Sequence, residues 1–191
     1  SFSSTKPVIP TREAEKIILP PNVYNQEREK IAKRLPAALD FIRDNKINEL
    51  FSGKYSHLGI IVPGGSYNTL IRALQRQGLS DIYGNSDIPI YVLNAVYPLV
   101  PDEIIRFCVE KEKVLLLEEG QPEYIEQGIH TILRRAEIQT RLYGKDIMPI
   151  AGEYTGQVTL LGLTKFIEQD KQQIISLNLS PSILSAPCFF F

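Results

Sequence analysis

Three apolar runs, Leu58–Val62, Ile88–Val96 and Val114–Leu117, are each followed by residues repeating at helical spacing. This alternation narrows the folds open to the chain more than any other feature. Leu58–Val62 and Val114–Leu117 are too continuously apolar to show one face to water, so they read as strands covered on both sides. After the first run, Tyr67, Leu70, Ile71 and Leu74 fall at i, i+3, i+4 and i+7, the pattern of an amphipathic helix. Repeated strand–helix units of this kind give a mostly parallel sheet with helices on both faces. The predicted fold class is therefore α/β, a three-layer α/β/α sandwich.

The punctuation agrees with that reading. Gly78 stands where glycine favours a helix end, and Pro101 with Asp102 and Glu103 marks a helix start. Pro122 and Glu123 open a further helix, with Ile125, Ile129, Ile132 and Leu133 on one face. Thr140–Tyr143 reads as a short strand and Gly156–Gln169 as a last helix. Earlier in the chain, Ile31, Leu35, Leu39 and Ile42 share a helical face within Glu27–Asn45, and Pro36 either kinks this helix or opens a second one. Ile47–Phe51 is a short strand with too little apolar content for anywhere but a sheet edge. The predicted organisation is an extended arm at 1–25, which carries Pro7, Pro10, Pro20 and Pro21 and little regular structure. An α/β domain at 26–170 follows, then a tail or linker at 171–191.

Composition excludes several classes. With 21 Lys+Arg against 22 Asp+Glu in 191 residues, no global field favours nucleic acid or an anionic membrane. No run approaches the ~18 apolar residues of a membrane span, and the N-terminal stretch lacks a signal-peptide pattern. Cys108 and Cys188 lie far apart and suggest neither a disulfide framework nor a zinc site, so a cytoplasmic setting is expected.

Two stretches are candidates for chemistry. Gly64-Gly65-Ser66-Tyr67 follows the first strand, where open α/β sheets bind ligands, and the following helix start offers free N–H groups to an anion. The turn matches neither G-x-G-x-x-G nor G-x-x-x-x-G-K-[ST], so a simple tight turn is the competing reading. Glu118-Glu119 ends the third strand on the same rim. Adjacent residues there point opposite ways, so the pair is a contact to a ligand or another domain and not a catalytic dyad. His57 and His130 have no Ser, Cys or carboxylate pattern around them that makes a triad, and Cys108 falls on a buried helix face. No catalytic residue and no metal ligand is named.

Several short motifs occur together in one order: Arg34-Leu35-Pro36-Ala37-Ala38-Leu39, Leu58–Val62 with Gly64-x-x-Tyr67, Tyr97-Pro98-Leu99, Val114–Glu119, and Tyr143-Gly144-Lys145-Asp146 leading to Gly152-Glu153. In that order the chain resembles part of the indolepyruvate (2-oxoacid) ferredoxin oxidoreductases, over residues 20–169. The resemblance implies the transketolase C-terminal-like domain of that family, with a sheet of about five strands and one antiparallel edge strand. It implies a structural and assembly role for this chain. The parent enzyme would use thiamine diphosphate, Mg and iron–sulfur clusters to convert aryl 2-oxoacids to acyl-CoA. Its partners would be ferredoxin, coenzyme A and its other domains or subunits, in an oligomer.

The family's G-D-G…N diphosphate motif and its cysteine clusters have no counterpart here, so no cofactor is assigned to this chain and it is expected to be a domain piece, inactive alone. Pro63-Gly64-Gly65 also departs from the family pattern. A stand-alone α/β module binding a small anion or nucleotide is the alternative. An independent hydrolase or transferase is disfavoured, because no nucleophile–base pair can be named.

Overall fold

The computed structural model describes Glu13 and residues 19–169. Most of the 1–25 stretch, the 171–191 tail and Cys188 lie outside the described residues. The chain divides into two compact units between Phe41 and Ile42.

In the first unit, α1 (Asn22–Glu29) begins inside the stretch expected to be irregular. It runs through a π-helical turn, Lys30–Arg34, into α2 (Leu35–Asp44), whose last residues belong to the second unit. Pro36 therefore neither breaks the path nor opens a separate helix. A proline inside an α-helix removes one i→i−4 bond and crowds the carbonyl four residues back. The wider π turn just before Pro36 lets the helix continue past it.

The second unit is the predicted α/β sandwich. Its strands are β1 (Glu49–Phe51), β2 (Leu58–Pro63), β3 (Ile90–Leu93), β4 (Lys113–Leu116) and β5 (Arg141–Tyr143), in the order β1-β3-β2-β4-β5. β1 pairs antiparallel with β3, and the other pairings are parallel. The edge position expected for Ile47–Phe51 is borne out, as is its antiparallel sense. Pro89 lies just outside β3, where its carbonyl accepts from the Ile60 N–H at 2.9 Å and its missing N–H disturbs no ladder bond.

Strand alternation sends side chains to two cores. Leu58, Ile60, Val62, Ile90 and Leu115 meet Leu70, Leu74, Leu163 and Phe166 of α3 (Tyr67–Arg76) and α6 (Gly156–Glu168). Ile61, Tyr91, Val114 and Leu116 meet Ile104, Phe107, Ile129 and Leu133 of α4 (Pro101–Cys108) and α5 (Tyr124–Arg135). β2, β3 and β4 are buried through their apolar residues on both faces, which is why their sequences do not alternate. Gly59 is required in β2, because a Cβ there would lie 2.6 Å from the Lys111 side chain and 2.9 Å from the Phe107 ring.

Candidate functional site

The strand order sets the site. From β2 the chain steps to β3 on one side, then crosses back to β4 on the other side of β2. The helix after β2 packs into one core and the helix after β4 into the other. A crevice therefore opens at the carboxyl ends of β2 and β4, the switch point where open α/β sheets bind ligands. Gly64, Gly65, Ser66 and Tyr67 directly follow β2, and Glu118 and Glu119 lie just beyond β4, so the fold brings both candidate stretches to this crevice.

The two glycines are not equivalent. Gly64–Ser66 forms a single 3-10 turn, and neither glycine adopts a positive φ. A Cβ on Gly64 would lie 2.5 Å from Asn94 Oδ1, whereas one on Gly65 meets nothing within 4 Å. Asn94 is held by donation from its Nδ2 to the Ile47 carbonyl (2.9 Å) and Glu49 Oε1 (2.8 Å). Gly64 is thus a packing glycine and Gly65 faces open space. The Ser66 hydroxyl caps nothing in α3. Tyr67 stacks on Phe51 with ring centroids 5.6 Å apart, and burial, with Glu49 nearby, raises its phenol above the usual range. Gly64→Ala is expected to lower stability by about 1 kcal/mol as Asn94 is pushed aside. Gly65→Ala is expected to be neutral or to stabilise by up to about 0.5 kcal/mol, by restricting the unfolded chain. Urea unfolding of the two variants checks the contrast.

Glu118 and Glu119 do diverge, and both are engaged within the chain. Glu118 is 6% exposed. Its Oε1 accepts from the Ile125 N–H (2.8 Å) and its Oε2 from the Glu126 N–H (2.9 Å). The carboxylate thereby caps the first turn of α5, which has no side-chain cap from its own N-cap residue, Glu123. Glu119 Oε2 accepts from the Tyr154 N–H at 2.6 Å.

Lys145 and Tyr154, neither of which was a sequence candidate, complete the arrangement. Lys145 Nζ donates to the Glu118 carbonyl oxygen and to the Tyr154 hydroxyl (2.8 Å), and that hydroxyl donates to the Pro149 carbonyl (2.7 Å). The Lys145 N–H reaches Glu126 Oε2 at 2.9 Å, and Gly144 packs so closely on the Glu126 carboxyl group that a Cβ has no room. Burial first, then the charges of Glu118, Glu119 and Glu126, pushes the Tyr154 phenol up to about 12. The network ties the end of β4, the start of α5 and the 144–154 loop together. Chemically it fixes backbone: the Glu118, Glu119 and Glu126 carboxylates each accept from at least one main-chain N–H.

Beside it, an apolar groove of about 830 Å³ runs between the chain after β3 and α5, lined by Val96, Tyr97, Leu99, Tyr124, Ile125 and Ile132. Gly128 shapes its floor, since a Cβ there would lie 2.7 Å from Leu99 Cδ1. The sequence reading places Val96 in the Ile88–Val96 strand and the others as helix or helix entry, whereas β3 ends at Leu93 and their convergence depends on how α5 docks.

The remaining candidates stay apart from the rim. His57 precedes β2 at the sheet's opposite end, and His130 is an exposed helical residue 4.0 Å from Glu126. Cys108 is buried, and burial pushes its thiol up to about 12. Among the described residues no group of three or more His, Cys, Asp or Glu is placed to hold a metal ion. No described helix is long and apolar enough to cross a membrane.

No family model matches the chain. Two curated relatives do, each an indolepyruvate oxidoreductase subunit IorA. The one from Methanothermobacter thermautotrophicus is 26% identical over 127 residues, covering 63% of this chain and 19% of the relative. The one from Thermococcus kodakarensis is 29% identical over 110 residues, covering 58% of this chain and 16% of the relative. The matches thus span less than a fifth of either relative's length. In structure, the chain is similar to 2-oxoglutarate:ferredoxin oxidoreductase from Magnetococcus marinus. The TM-score is 0.50 with 19% identity, over 78% of this chain and 24% of that one, a likeness of fold. The chain is thus related in sequence to a segment of the indolepyruvate oxidoreductase subunits, and the 2-oxoacid ferredoxin oxidoreductases that its motifs resemble are the family to which these relatives point.

Proposed function

We propose that this chain serves as a non-catalytic structural and assembly segment of a 2-oxoacid ferredoxin oxidoreductase of the indolepyruvate type. The parent would depend on thiamine diphosphate, Mg and iron–sulfur clusters held elsewhere, and would oxidise aryl 2-oxoacids to acyl-CoA while reducing ferredoxin. The observation that carries this reading is the engagement of both rim carboxylates. Glu118 and Glu119 sit at the switch crevice, yet both Glu118 oxygens accept from the backbone N–H groups of Ile125 and Glu126, and Glu119 Oε2 accepts from that of Tyr154. A rim built this way holds shape and leaves chemistry to other domains.

Open space above Gly65 favours one alternative, a module that takes a small anion at Gly64–Tyr67. Calorimetry and a coupled assay separate the two. The purified chain is expected to give no saturable heat with thiamine diphosphate plus Mg, coenzyme A or nucleotides, and no 2-oxoacid-dependent ferredoxin reduction. Deleting the matching segment from a full-length relative is expected to abolish its assembly. Saturable nucleotide heat that Gly65→Val removes would establish the binding module instead, and intact assembly after the deletion would overturn the structural role.

A further inference from the structure

Away from the rim, a cleft of about 320 Å³ opens between β1, α4 and the turn that ends α2, all within the second unit. Its floor is a closed polar network. Asn48 and Tyr91 are both buried, at 8% and 3% exposure. Asn48 Nδ2 donates to the Tyr91 hydroxyl (3.1 Å) and to Glu103 Oε2 (3.0 Å), and the Tyr91 hydroxyl donates to the same Glu103 oxygen at 2.6 Å. Asn48 Oδ1 accepts from the Ala95 N–H at 3.0 Å. One wall is apolar, made by Phe107 and by Leu50, which is 61% exposed on the edge strand.

Three cations line the cleft: Arg43, Lys46 and Arg106. Arg43 pairs with Asp102 at 3.5 Å. Lys46 and Arg106 have no ion-pair partner among the described residues, and the one carboxylate in the lining, Glu103, is drawn into the floor network. Lys46 also occupies an uncommon backbone conformation. The Lys46 N–H bonds to the Arg43 carbonyl (3.1 Å) and the Ile47 N–H to the Ile42 carbonyl (3.0 Å), the two bonds of a Schellman helix end. Lys46 therefore stands in the left-handed position, φ 50°, where glycine is the favoured residue. A lysine there is less stable than glycine, and its side chain stands exposed at the cleft beside Arg106.

We propose that this cleft binds a small amphipathic carboxylate, its apolar body against Leu50 and Phe107 and its anionic head between Lys46 and Arg106. A cavity of this size, partly apolar and with a few fixed polar groups, fits a ligand of that class. The proposal is independent of the assembly role, because it uses none of the rim residues.

The test is a titration of the isotopically labelled chain with sodium benzoate, followed by NMR at low ionic strength. Saturable shifts at residues 46–50, 91 and 103–107 are expected, with a dissociation constant in the millimolar range that rises with added salt. Lys46→Gly is expected to weaken binding about fivefold while melting no lower than the parent, and Arg106→Gln to weaken it about fivefold as well. The combination in Lys46→Gly, retained stability with lost affinity, is a signature that general destabilisation cannot produce. Shifts that fail to saturate or that map elsewhere, or unchanged affinity in both variants, overturn the proposal. Inorganic phosphate binding as tightly as benzoate also overturns it, since the apolar wall would then contribute nothing.

Discussion

Glu118→Ala is expected to destabilise the second unit by about 3 kcal/mol, an effect more typical of a core truncation than of a residue at a ligand-binding rim. The carboxylate is 6% exposed and accepts from two backbone donors at the start of α5. Hydrogen bonds to a charged group contribute roughly 1.5–3 kcal/mol each, and their removal leaves N–H groups poorly solvated. Alanine offers no acceptor, so the first turn of α5 is expected to fray and the apolar groove beside it to lose Tyr124 and Ile125 as a wall. Glu118→Gln keeps one acceptor but turns an NH₂ group toward a backbone donor, and about half the loss is expected. Glu119→Ala is the internal control. Its carboxylate is exposed and accepts from one donor, Tyr154 N–H, so a cost near 1 kcal/mol is expected. Urea unfolding by circular dichroism reads all three. Equal effects for Glu118→Ala and Glu119→Ala would remove the capping role from Glu118.

What the sequence carried and what it did not can be traced to particular residues. The unbroken apolar runs of β2 and β4 need no context, because only a strand buried on both faces tolerates them. Short Ile47–Phe51, its apolar residues interrupted by Asn48 and Glu49, announces an edge for the same reason in reverse. The opposite directions of Glu118 and Glu119 match what strand alternation predicts, although β4 itself ends at Leu116. Their partners do not follow from it, because Tyr154 lies 35 residues from Glu119 and meets it only once α5 and the loop after β5 have docked. Lys145 and Gly144 were visible as a motif without a role, since that role depends on the Glu126 carboxyl group reaching across to them. At the start of the chain, α1 reads NVYNQERE, with no apolar stripe to betray a helix. The π turn before Pro36 is likewise a local backbone answer to a missing N–H, which side-chain periodicity does not encode.

A still larger effect is expected inside the core shared by α3 and α6. Phe166 is fully buried and meets Tyr143 edge to face, with ring centroids 5.8 Å apart and planes at 72°. One turn earlier on α6, Gly162 lies so close to the Met148 sulfur that a Cβ cannot be accommodated. Phe166 thus stands over β5 and the loop that carries Lys145, and it anchors the helix that closes one face of the sheet. Phe166→Ala removes a full aromatic side chain from a site whose neighbours are fixed by the sheet and by Met148, so little collapse can fill the space. About 4 kcal/mol is expected, including the lost ring–ring contact. That is a large share of the total for a domain of this size, roughly 5–15 kcal/mol. Phe166→Leu should recover more than half of it by refilling most of the volume. The measurement is the urea midpoint at unchanged slope, with near-ultraviolet circular dichroism reporting on Tyr143. A loss under about 2 kcal/mol for Phe166→Ala would mean that α6 is not the clamp on this face. Loss of the Lys145–Tyr154 network in the same variant, read by shifts at Gly144 and Tyr154, would show that the rim takes its geometry from this core.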